Sequence, residues 1–135
     1  MNQDASKAAQ ENSPAIYEGH PMAKHIGQEF LDISEDGRVR MSIPFNKDFI
    51  GNTLEQSMHL GPITAVLDSA AGASVMKANG EFSPFVTLDL RIDQLHPANE
   101  NHDILVECAP YMRKGDLFYV KGLAWQSDKS KPVLA

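Results

Sequence analysis

A chain of 135 residues with 42% hydrophobic side chains is long enough to bury a core of its own, and one domain is what that length supports. The net charge of −6, with 12 Lys and Arg scattered along the chain, argues against a nucleic-acid protein, which would show a basic stripe. Cys108 is the single cysteine, so an intramolecular disulfide is excluded and no Cys-His spacing of the zinc kind occurs. A reducing, cytoplasmic setting fits. The opening MNQDASKAAQENS has no signal-peptide pattern, and no run approaches the ~18 apolar residues of a membrane span, so a soluble protein with no membrane partner is expected.

Residues 1–13 are polar and Ala-rich, with nothing to bury, and read as a tail. A short helix is expected between Pro14 and His25, which makes 1–25 an N-terminal tail and short helix and 26–135 the domain. From Gly27 the pattern becomes a hairpin. GQEFLDIS is followed by a turn at Glu35, Asp36 and Gly37, then by RVRMSIPF, where Val39, Met41, Ile43 and Phe45 alternate with polar residues. The loop NKDFIGNTLEQSM carries Phe49, Ile50 and Met58, more apolar surface than a solvated loop needs.

HLGPITAVLDSAAGASVM, from His59 to Met76, reads as the one long helix, with Pro62 suited to its first position and Asn79-Gly80 to its end, about 16 residues or ~24 Å. Next comes FVTLDLRIDQLHP, the clearest strand, with Val86, Leu88, Leu90 and Ile92 on one side and Thr87, Asp89, Arg91 and Asp93 on the other. DILVECAPYM and DLFYVKGLAW are two further strands joined at Arg113-Lys114-Gly115, the second apolar on both faces as a central or covered strand would be. Two strands, one helix and three or more strands make an α+β fold, a sheet wrapped on a single helix.

The helix carries Asp68 among small and apolar residues. At ~100° per residue, the face centred on Asp68 holds Gly61, Thr64, Ala65, Ala71, Gly72 and Val75, while Ile63, Val66, Ala70 and Ala73 lie opposite. No side of this helix is properly solvated. Burying an unpaired carboxylate is costly and mid-helix Asp has poor propensity, so Asp68 marks a structural cap or pair at an interface, a side chain that looks onto solvent through a gap in the sheet, or a chemical group that small neighbours leave accessible.

HLGPITAVLDSAAG followed by TLDLRIDQLHPA resembles the hotdog-fold acyl-CoA thioesterases of the phenylacetate-degradation type. Their signature is His-Gly-Gly, an acidic residue nine positions after that His, then a Thr-x-x-x-x-Ile strand ending in Pro. His59 and Asp68 stand nine apart, and Thr87, Ile92 and Pro97 fall in place. The resemblance covers about Gly27 to Ala135 and is specific in its middle. It implies the hotdog fold, an antiparallel β-sheet wrapped around one long central helix. It also implies a homodimer with a continuous sheet, often a homotetramer, and hydrolysis of acyl-CoA thioesters with no metal and no cofactor beyond the CoA of the substrate.

Such chemistry needs a carboxylate and N–H donors for the oxyanion, both within ~3 Å of the reacting atoms. A helix N-terminus supplies such donors. Leu60 precedes Asp68 by eight residues, ~12 Å along a helix, so one chain cannot present both to one carbonyl. If the helix start is the oxyanion hole, a second subunit must bring its own Asp68 to it.

By resemblance, Asp68 is the general base or nucleophile, His59 is the signature His, read as bracing a loop or cap, and Gly61 is the second Gly. Leu60 stands in place of the first Gly, where its N–H still serves but its Cβ narrows the approach. Asn52 resembles the loop Asn that holds the thioester or water in some relatives, one position further from His59. Thr87 matches a Ser or Thr credited with holding the water, yet the alternation turns it away from the helix. Gly72 stands where some hotdog enzymes carry a Thr. Phe49, Met58 and Thr64 are expected along the substrate site with Phe45 and Ile50, and Arg113 and Lys114 are read as CoA phosphate contacts or as solvated turn charges. His96, His102 and Asp103 lack metal-ligand spacing. KPVLA matches only the start of the family's last strand, which implies a short sheet edge or a trimmed chain. Besides the thioesterase, a non-catalytic acyl-CoA-binding or scaffolding protein stays open. A hotdog hydratase is disfavoured because no Asp-x-Asn-Pro-like or His-Phe-Pro segment is present.

Overall fold

A computed structural model describes residues 18–80, 84–99 and 102–135. The expected tail and the start of the first helix lie outside those residues. What is described is α1 (Pro21–Ile26), where the His20 ring accepts the Ala23 amide and Gly27, at φ 73°, closes the end. That left-handed conformation is the one Gly adopts without a Cβ penalty.

The expected hairpin is present as β1 (Glu29–Ile33) and β2 (Val39–Ile43), paired antiparallel and turned at Gly37, φ 84°. Val39, Met41 and Ile43 are fully buried, as their alternation requires. The loop that follows forms a 3-10 turn (Lys47–Phe49) and a small hairpin of β3 (Ile50–Asn52) and β4 (Ser57–Met58). Two of its apolar residues are accounted for: Phe49 packs against the core, and Met58 is buried with its amide bonded to the Ala98 carbonyl at 2.9 Å, whereas Leu54 is exposed.

Helix α2 (Leu60–Asn79) has 20 residues, longer than the sequence pattern suggests. Pro62 is its third position, not its first, because the His59 side chain caps the tip two residues earlier. A proline is tolerated anywhere in the first turn, where amides have no intrahelical partner. Gly80, at φ 71°, ends the helix at the Asn79-Gly80 stop.

The sheet is completed by β5 (Ile104–Lys114) and β6 (Leu117–Trp125), in the order β1-β2-β5-β6, all antiparallel. The β5–β6 turn falls at Gly115 and Asp116, so Arg113 and Lys114 are strand residues and not the turn itself. Ile63, Val66, Ala70 and Ala73 of α2 are buried against Met41, Ile43, Ile104 and Val106 of the sheet. Each of the larger ones gains roughly 1.5–3 kcal/mol from that burial. Gly122 permits the close approach, since a Cβ there would stand 2.7 Å from Cys108 Sγ and 2.9 Å from Leu67 Cδ2.

The segment expected as the clearest strand behaves differently. Among the described residues, 84–92 makes no main-chain hydrogen bond to another strand of the chain. Pairing starts at Asp93, which exchanges bonds with Ala135 at 2.8 and 3.1 Å, and continues at Leu95, bonded to Val133. Val133 and Leu134 in turn bond Ala124 at the end of β6, so 133–135 form a three-residue link between β6 and the 93–95 segment.

The expected side assignment also fails over 85–90. Val86 and Leu88 are 77% and 75% exposed, whereas the Thr87 side chain reaches the helix. Alternation puts apolar side chains inward only where the same chain covers them, and here the apolar row is bare while the other row meets α2. Ile92 alone of that row packs against the core.

Candidate active site

The tip of α2 is built around His59. Its amide donates to the Phe49 carbonyl at 2.7 Å, and its Nδ1 accepts the Gly61 amide at 2.9 Å. Accepting that bond requires an unprotonated Nδ1. A Cβ at Gly61 would lie 3.0 Å from the same Nδ1, which is why a residue without one suits this position. Gly51 of β3 lies against the His59 backbone, where a Cβ would come within 2.9 Å of its Cα. Pro62 has no amide hydrogen, so of the first three helical positions Leu60 keeps an N–H that no described group accepts. The tip therefore offers one directed donor at its first residue, beside the His59 ring that occupies the Gly61 amide.

Asn52 sits beside this tip but turns away from it. Its Oδ1 accepts the amides of Leu54 and Glu55 at 3.0 and 3.2 Å, and its Nδ2 donates to Glu55 Oε2 at 3.1 Å. This is an Asx turn that shapes the β3–β4 loop. Phe49 meets the His25 ring edge-on, centroids 5.7 Å apart, and Met58 is core.

Asp68 lies two turns along α2, half-buried. Thr87 donates its hydroxyl to Asp68 Oδ1 at 2.8 Å. That bond fixes one carboxylate oxygen and leaves the second without a side-chain donor among the described residues. Thr64, one turn before, is half-exposed on the same face. Gly72, one turn after, is buried beneath Phe85, a residue the sequence pattern did not single out. A Cβ at Gly72 would meet the Phe85 ring at 2.7 Å. Behind the acid, Cys108 donates to the Leu67 carbonyl at 3.5 Å. Burial, with the nearby Glu107 and Asp68 charges, pushes its thiol up to about 12, so it stays protonated and is no nucleophile at neutral pH.

Arg113 and Lys114 stand at the far end of β5. The Arg113 guanidinium donates to the Gly115 carbonyl at 2.9 Å and stacks on Phe118, 4.6 Å from the ring centre, while Lys114 is exposed. Among the described residues no cluster of His, Cys, Asp and Glu could hold a metal ion, and no helix is long and apolar enough to cross a membrane.

The structure thus brings together Asp68, Thr87, Gly72 and Phe85 at mid-helix, and His59, Leu60 and Gly61 at the tip. The two groups share one rod and lie ~12 Å apart along it.

The architecture matches solved structures. The chain is similar to a protein of Pseudomonas aeruginosa at 25% identity, covering 96% of this chain and 93% of that one, TM-score 0.77. It is also similar to the E. coli PaaI protein from the phenylacetic acid degradation operon, at 18% identity over 96% and 89% of the two chains, TM-score 0.78. A mutant of the phenylacetic acid degradation protein PaaI from Thermus thermophilus aligns at 16% identity over 85% and 92%, TM-score 0.72. A comparison with curated proteins finds no match. The α+β arrangement of one long helix against an antiparallel sheet is the hotdog fold, shared with these PaaI structures. The sequence profile of the thioesterase superfamily matches residues 55–133, which span the helix tip, Asp68, Thr87 and both long strands, and the chain belongs to that superfamily.

Proposed function

We propose that the protein hydrolyses acyl-CoA thioesters to a carboxylic acid and CoA in the cytoplasm, as a homodimer, with no metal and no cofactor beyond the CoA of its substrate. The observation that carries this reading is Asp68, held by Thr87 on a half-open helix face, ~12 Å from the Leu60 amide at its own helix tip, which no described group accepts. Donor and acid separated so widely on one rod serve one carbonyl only if they come from two copies. Pairing of the bare 84–92 edges of two copies would satisfy their main chains and carry the sheet across the dimer. The exposed Val86 and Leu88 supply apolar surface for a homotetramer.

The free oxygen of Asp68 takes a proton from a water as that water attacks the thioester carbon. The carbonyl oxygen, now negative, accepts the N–H of Leu60 of the partner subunit. Collapse breaks the C–S bond, and the proton held by Asp68 passes to the departing sulfur. His59 keeps the tip in shape by occupying the Gly61 amide, and Thr64 borders the site. The exposed Lys114 meets the CoA phosphates as a point charge, whereas Arg113 is held by its own hairpin.

The test is thiol release from a panel of aromatic and short to long aliphatic acyl-CoAs, by wild type and by Asp68→Asn. Turnover by wild type that Asp68→Asn loses supports the reading. Equal turnover by both removes Asp68 from its role. Leu60, in place of a glycine, favours one second reading, a non-catalytic acyl-CoA-binding protein, for which binding without hydrolysis by wild type is the expected result.

A further inference from the structure

We propose that Phe85, seated on Gly72, is the end wall of the acyl pocket and limits the length of acyl chain that the site accepts; this rests on the acyl-CoA reading above. Two side chains two residues apart, Phe85 and Thr87, meet α2 at successive turns. Thr87 bonds Asp68, and the Phe85 ring lies against Gly72, four residues further along. The contact is tight: a Cβ at Gly72 would stand 2.7 Å from Phe85 Cζ and 2.9 Å from Cε2, closer than real Cβ contacts come. Only glycine lets the ring rest on the helix backbone.

Phe85 remains 47% exposed, so its outer part is not covered by the described residues. Directions away from Asp68 along the helix differ in character. Toward the N-terminus stands the polar Thr64; toward the C-terminus stands the aromatic ring. An apolar acyl chain gains by running toward the ring, and one helical turn, ~6 Å, is the distance before it arrives. That length holds a short acyl chain and stops a long one.

The experiment compares wild type, Phe85→Leu, Phe85→Ala, Gly72→Ala and the Phe85→Ala/Gly72→Ala pair. Hydrolysis of butanoyl-CoA and dodecanoyl-CoA is measured, and so is binding of their inert thioether analogues, S-butyl-CoA and S-dodecyl-CoA, by calorimetry. Wild type should favour the short ligand. Phe85→Ala should raise the long-to-short ratio by about tenfold or more, with Phe85→Leu between. Gly72→Ala should shift the ratio by dislodging the ring and should add nothing once Phe85 is gone. Unchanged ratios in Phe85→Ala, by turnover and by binding, overturn the inference while leaving the hydrolase reading in place. A shifted binding ratio without any hydrolysis upholds the wall and removes the hydrolase. Failure of wild type to bind either thioether overturns the wall directly.

Discussion

The two faces of α2 have different fates. The face made by Ile63, Val66, Ala70 and Ala73 is buried by the chain's own sheet. The face carrying Thr64, Asp68 and Ala71 is half-open and, among the described residues, meets the 84–92 segment through Thr87 and Phe85. One face is a finished interior. The other is left half-open by the described residues, and the polar chemistry collects there.

Changes on the open face should cost activity and little stability, and changes on the closed face the reverse. The largest effect belongs to Asp68→Asn, which should lower kcat for acyl-CoA hydrolysis by roughly 10²–10⁴-fold with no loss in thermal stability. Gly122→Ala tests the closed face. Its Cβ would press on Cys108 Sγ and Leu67 Cδ2, and calorimetry should show about 1–3 kcal/mol of destabilisation. Thr87→Val frees the Asp68 carboxylate from its one hydroxyl donor; a fall in kcat of about tenfold, with an unchanged melting temperature, is expected, and an unaltered kcat would show that the bond positions nothing. Cys108 should resist iodoacetamide at pH 8 in the native protein and react once unfolded, because burial holds its thiol protonated.

The smallest effect lies away from the helix. Arg40, directly across from Asp32 on β2, holds the Asp32 carboxyl below its usual range through hydrogen bonds. That contribution is present above the ordinary carboxylate pKa and is lost as pH falls through the lowered value. Asp32→Asn should therefore lower the melting temperature by no more than about 3 °C at neutral pH and by nothing in strong acid.

The closed face was legible in the sequence, because Val39, Met41 and Ile43 and the far side of the helix form periodic patterns that one chain satisfies by itself. The glycines at 37, 80 and 115 stand at turns or ends with positive φ, as turn chemistry suggests. The open face was read less well. In FVTLDLRID, alternation pointed Val86 and Leu88 at the helix and Thr87 away, and the structure has the reverse. Periodicity reports that one side is apolar without saying which body covers it. The signature spacing of His59 and Asp68 singled out candidate residues at the tip and middle of the helix, but the Phe85–Gly72 contact had only a buried-looking glycine as its signal. Asn52 matched a family position, yet a donor pattern of local amides within three residues decided where its side chain went.

A carboxylate midway along α2 and a vacant amide at its tip are fixed to one stiff cylinder. In a two-fold pair, each cylinder would contribute its middle to one reaction chamber and its end to the other. Tilting it to tighten the first chamber moves a component of the second, so the two chambers of a pair would not turn over independently, and substrate saturation curves would depart from a simple hyperbola.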